Sequence, residues 1–319
     1  MVAAPLVASQ GTPCTRAMRR IEAYGLPQDV EMVQLFLSGL LELLPEDGQV
    51  FVANGICAAR TDEQIYSFYQ HLYTHLCLAI RTANIKQAFE DAGAEGRLQL
   101  FKETCFSRDN HRCVVSLAID EALWVDQGSC PHVDHARLEA THIIPYGYGT
   151  FASAADRLNS ETHWSYLQHC FPDTLDVLGA ATIDSARNGI TLHRVIREQF
   201  ERFECAFKPD PTLPHTYEFI TFPRFAQNTK DLLPILPTRI TLRPGPTFDE
   251  AYLPDPALFN CHYRLATFFH LYGIGISVDS HLELWKRTLR AFAGHSLDAR
   301  GRDDIEEVFS HAPWGTVPE

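Results

Sequence analysis

Two stretches constrain this chain most. Leu138-Glu139-Ala140-Thr141-His142-Ile143-Ile144-Pro145 and Asn188-Gly189-Ile190-Thr191-Leu192 each read as a short strand bounded by a polar residue, and the second runs directly into a helical pattern over 193–203. On that helix His193, Arg197 and Glu201 recur at four-residue spacing, so they share one stripe. A strand, a second strand and a helix in this order gather His142, Asn188 and the stripe into one small unit.

The flanking sequence has a different texture. Residues 1–27 hold Pro5, Gly11, Pro13, Gly25 and Pro27 among few periodic apolar positions, which predicts a loose N-terminal arm. From Asp29, read as a cap, Val30, Val33, Leu37, Leu40, Leu41 and Leu44 recur at helical spacing until Pro45. A second helix starts near Thr61 or Asp62 and carries Ile65, Phe68, Tyr69, Leu72, Leu76 and Ile80 toward Phe89. Cys113-Val114-Val115 reads as a short buried strand, and 118–137 as an acidic loop. Between the two organising stretches, Trp164, Leu167, Phe171 and Leu175 predict an inserted helix that Trp164 packs against the site. Phe200, Phe203 and Phe207 read as core. Beyond Pro209 frequent prolines predict extended loops and short strands, and Leu282, Trp285, Leu289 and Phe292 predict a terminal helix, capped by Asp279 or Ser280 and stopped by Gly294.

Composition excludes some roles. A net charge of -13 argues against a protein that holds DNA mainly by neutralising phosphates, and acidic residues outnumber basic ones from Arg97 to Arg224 as well. Nine cysteines without a C-x-x-C pair fit reduced thiols, hence an intracellular protein of the cytoplasm or nucleus. The first residues lack a basic leader region, and no apolar run approaches the roughly 20 residues of a bilayer span, so no membrane partner is expected. Cys130, His132 and His135 have zinc-compatible chemistry but no fourth ligand; a solvated loop is the competing reading.

A His ending a strand has a pKa suited to a general base, an Asn beginning the facing strand braces the turn or orients that His, and a following helix presents ligands one turn apart. His142, Asn188 and 193–203 meet this plan in order. Here the residues resemble a known family. Arg108-Asp109 with Arg112-Cys113-Val114-Val115, then Glu139 to Pro145, Asn188 to Leu192, Phe200-Glu201-Arg202-Phe203 and Ala206-Phe207-Lys208-Pro209 form an ordered set over about 97–210. The set resembles the HNH endonuclease domain of many fungal proteins. The resemblance implies a fungal source, an α+β chain with a ββα-metal core, His142 as general base and Asn188 as the middle motif residue. The implied organisation is a helical N-terminal region over 1–96, an HNH-like domain with an inserted helix over 97–210, and a Pro-rich C-terminal extension over 211–319 that packs on the core and ends in a helix.

The third motif position departs from the family: where the last His usually ligates the metal stands Arg197, which has no lone pair to offer. Thr141 replaces the carboxylate or His that many members place before the base; Glu201 remains an oxygen ligand, and His193 lies one turn before Arg197 as a substitute or as a plain surface residue. Three functions stay open. One is a metal-dependent nuclease that uses Mg²⁺, Mn²⁺ or Zn²⁺ on nucleic acid. Another is a cofactor-free isomerase, cyclase or hydrolase of a small molecule, such as a fungal secondary metabolite, with His142 as acid or base and Arg197 as anion holder. The last is a non-catalytic interaction module.

Overall fold

In the computed structural model, the residues described are 12–27, 29–83, 95–148, 154–232, 239–280 and 283. The N-terminal part is helical from its first described turn. Within the expected loose arm of 1–27, of which 12–27 are described, the chain forms helix α1 (Pro13–Glu22). Thr12 caps it by accepting from the Thr15 amide at 3.3 Å, Pro13 pre-sets its first turn, and Ala17 and Ile21 enter the core. Helix α2 (Val30–Leu43) ends before Pro45 as its spacing predicts, but Asp29 is no side-chain cap: it takes a left-handed conformation, φ 54°, and its carboxylate makes no capping bond. Helix α3 (Glu46–Ala58) fills what reads in the sequence as a linker. Small residues hide its apolar stripe, and one of them is required for packing: a Cβ on Gly48 would lie 2.1 Å from the Cys170 carbonyl oxygen. Helix α4 (Asp62–Leu72) runs into a π-helical segment, Tyr73–Leu78, and helical residues continue to 83; the rest of the expected span toward Phe89 lies outside the described residues.

Helix α5 (Glu95–Arg108) leads into a turn rather than the expected strand at Cys113-Val114-Val115. The reason is local: the Cys113 Sγ accepts from the Ser116 amide at 3.3 Å and Leu117 has φ 61°, which folds the chain back on itself. The acidic loop is partly ordered as strand β1 (Ile119–Asp120), helix α6 (Glu121–Asp126) and strand β2 (His135–Ala136), with β1 and β2 parallel. Strand β3 (Leu138–His142) pairs antiparallel with strand β4 (Gly189–His193), in the register Leu138 with His193 and His142 with Gly189. Between them lies helix α7 (Ala154–Cys170), where Trp164 donates to the Tyr148 carbonyl at 2.7 Å. Helix α8 (Arg194–Glu201) follows β4 without a loop and packs on β3 and β4.

The C-terminal part holds strands β5 (Cys205–Pro209), β6 (Thr216–Thr221) and β7 (Arg239–Thr241) in one antiparallel sheet, and the short helix α9 (Gln227–Leu232). It also holds an unexpected long helix, α10 (Pro256–Leu271). Its start follows the rules that the proline count obscures: Asp255 accepts from the Ala257 amide at 2.9 Å and Pro256 occupies the first turn. Asp279 is not the cap of a terminal helix, because it sits inside helical residues 274–280 and its carboxylate pairs with Arg81 and Arg224; Leu282, Trp285, Leu289 and Phe292 lie outside the described residues. One apolar core runs from Ala17 to Val278 and joins the N-terminal helices, the β3–β4–α8 unit, the β5–β6–β7 sheet and α10. No described helix is long and apolar enough to cross a membrane.

Candidate active site

The site is the β3–β4–α8 unit with α5 laid across it. Asn188 holds the strand ends together. It is fully buried, its Oδ1 accepts from the Ile144 amide at 2.8 Å, and its Nδ2 donates to the carbonyls of Ile144 at 2.9 Å and Ile183 at 3.0 Å. Every donor and acceptor of the amide is thus spent on backbone, which fixes the turn after His142. Gly189, next in the chain, lets α5 approach β4: a Cβ there would lie 2.4 Å from Cys105 Sγ and 2.6 Å from the Phe101 ring. Its φ of -124° suits any residue, so the demand is for space alone. Gly189→Ala is expected to cost about 1–3 kcal/mol of stability in urea unfolding, as overpacked cores do. A loss below a few tenths of that would show that α5 shifts freely.

His142 is 8 % exposed. Phe101 of α5 stacks on its ring at 3.9 Å, and its Nε2 lies 3.0 Å from Asp184 Oδ1. A carboxylate only accepts, so Nε2 carries the proton and Nδ1 keeps the lone pair. Among the described residues Nδ1 has no hydrogen-bond partner. Burial lowers the imidazole pKa below its ordinary value, the bond to Asp184 opposes that, and Arg197 adds to the lowering. Asp184 is a partner of His142 that the sequence motifs do not mark. It stands four positions before Asn188 in the irregular turns that follow α7, and no motif spacing marks it.

Arg197 lies between two carboxylates. Its Nε donates to Glu201 at 2.7 Å and its Nη1 pairs with Glu139 across the strand. Burial raises the pKa of Glu201, an effect that Arg197 opposes and Glu139 adds to. His193 is half-buried and caps α8, its Nδ1 accepting from the Val195 amide at 3.2 Å; burial lowers its pKa. These side chains do not fit a divalent cation. His142 gives Nε2 to Asp184, Arg197 engages both glutamates, and Thr141 offers a neutral hydroxyl. Among the described residues, no group of three His, Cys, Asp or Glu is placed to hold a metal ion. That statement includes Cys130, His132 and His135, all exposed, where His135 instead stacks on Trp124 at 3.7 Å.

What these elements do form is a cleft of about 280 Å³. Leu98, Phe101 and Lys102 of α5 line it together with residues 137–142 on and before β3 and with Arg197 and Glu201 of α8. The site thus combines a buried imidazole, apolar side chains and charges of both signs. No curated protein and no solved structure matches the chain. Residues 113–208 match the family model described as HNH endonuclease, and this segment, which holds both strands, the helix and His142, is what makes the chain similar to that family.

Proposed function

We propose that the cleft is a general-base site for hydrolysis of a phosphodiester-type bond, the reaction implied by the likeness of residues 113–208 to HNH endonucleases. The observation that supports it is His142, stacked on Phe101 with Nε2 on Asp184 and lining a cleft. A water oxygen bonds to phosphorus as Nδ1 takes its proton. The phosphorus–oxygen bond to the leaving group breaks, and the leaving oxygen takes a proton from solvent. The imidazolium formed is stabilised by Asp184, which also sets the tautomer and is therefore a positioning residue. Because burial favours the neutral ring, the base is ready at neutral pH.

The test is hydrolysis of bis(p-nitrophenyl) phosphate, run with chelator and with Mg²⁺, Mn²⁺ or Zn²⁺ in turn. His142→Ala is expected to lower the rate about 100-fold or more. Asp184→Asn removes the interaction that raises the His142 pKa, so the acid limb of the pH profile moves to lower pH while kcat falls by about 10-fold. An unchanged rate in His142→Ala, or no hydrolysis under any of these conditions, would sink the proposal. A second reading, isomerisation or cyclisation of a small molecule by the same base, is favoured by Arg197 standing between Glu139 and Glu201 at the position where the sequence resemblance expects a metal ligand. It predicts turnover that is indifferent to chelator and releases no phosphate ester.

A further inference from the structure

The α5 side of the cleft, with Leu98, Phe101 and Lys102, lies before residues 113–208, the segment similar to HNH endonucleases. We propose that Lys102 is the anion-binding residue of the cleft, and that the ligand is a small phosphodiester of single charge with an apolar body rather than a polynucleotide. The proposal rests on the general-base reading above. Three cations and two carboxylates line the cleft, which leaves one positive charge. Arg197 is committed to Glu139 and Glu201, and Arg137 lies 3.8 Å from Glu139. Lys102 alone of the three has no ion pair or hydrogen bond among the described residues; its ammonium rests 5.4 Å from the centre of the Phe106 ring, a weak contact that it exchanges readily for an anion.

One unmatched cation suits one phosphodiester charge. A nucleic-acid strand brings a charge about every 3.4 Å, and it would press these against Glu139, Glu201 and a chain of net charge -13. Leu98 is partly exposed beside Lys102, with the buried Phe101 and Leu138 behind it, and the cleft volume of about 280 Å³ suits a small molecule.

Diphenyl phosphate, dimethyl phosphate and a short duplex oligonucleotide are titrated calorimetrically into the full-length protein and into its His142→Ala variant. Diphenyl phosphate is expected to bind both proteins, with dimethyl phosphate at least about 10-fold weaker for want of an apolar body. Lys102 is exposed, so its variants should fold. Lys102→Glu should weaken diphenyl phosphate by about 10-fold or more, and Lys102→Arg should keep most of the affinity. Undiminished binding by Lys102→Glu, tighter binding of the oligonucleotide than of diphenyl phosphate, or no binding of diphenyl phosphate would each overturn the proposal. Intact binding without hydrolysis would count against the general-base reading and leave this one standing; intact hydrolysis with unaltered binding in Lys102→Glu would do the reverse.

Discussion

Replacing Arg108 by methionine should destabilise the fold by about 3–5 kcal/mol, the range seen when one partner of a buried ion pair is removed. Arg108 is fully buried at the end of α5. Its Nε and Nη2 grip the two carboxylate oxygens of Asp109 at 2.7 Å each. Its remaining donors reach the carbonyls of Ala186 at 2.6 Å, Gly189 at 2.9 Å and Tyr252 at 3.2 Å, while Asp109 Oδ2 also accepts from the Thr191 amide at 3.0 Å. One side chain thus ties α5, the start of β4 and the C-terminal part to the same point. Methionine fills similar volume but leaves the Asp109 carboxylate buried without its counter-charge, held only by the Thr191 amide, and removes a donor from the carbonyls of Ala186, Gly189 and Tyr252. Arg108→Met combined with Asp109→Leu should recover part of the loss, because the orphaned charge goes with it. Urea unfolding of the three variants decides the matter: a single-variant loss below about 1 kcal/mol would mean that water replaces the guanidinium at no cost.

That pair shows where the sequence is transparent and where it is not. The antiparallel strands and the helix after them are legible because each signal is local: β-branched runs, a polar stop and a four-residue stripe. The register that sets His142 opposite Gly189 is supplied only by the folded pair. Arg108 and Asp109 are visible as a motif, but nothing nearby tells that their partners lie 78 and 144 positions away. Asp184 escapes notice for the same reason, since its partner, His142, is 42 positions earlier in the chain. His193 reads as the first residue of a ligand stripe because helical spacing is blind to caps; its backbone is still extended and its ring closes the helix start. Helices α3 and α10 are obscured by glycine, alanine and flanking prolines, whose packing and capping roles are apparent only against their neighbours.

Acidification should unfold this protein well before its carboxylates are all protonated, and His262 should contribute most among single residues. The ring lies in the core, stacked between Phe200 at 3.9 Å and Phe203 at 4.4 Å, with Nε2 3.1 Å from the Phe200 carbonyl oxygen. Burial pulls its pKa down to about 3, the carbonyl bond opposes that, and Arg81 adds to it. The unfolded ring has the ordinary value of about 6.5, so below that pH the unfolded state binds the proton first. The stability that neutrality provides is full above about pH 6.5 and is lost as pH falls toward 3, at up to about 1.4 kcal/mol per unit and roughly 5 kcal/mol in all. His75, lowered to about 4 by burial and by His71, adds a smaller loss of the same sign. His262→Phe keeps the stacking but gives up the bond to Phe200, so it should be less stable than the parent at pH 7 and yet lose about 2 kcal/mol less between pH 7 and 5. Urea midpoints at the two pH values measure this directly. Parallel losses in parent and variant would place the acid sensitivity outside the Phe200–Phe203 stack and return His262 to the role of an inert core ring.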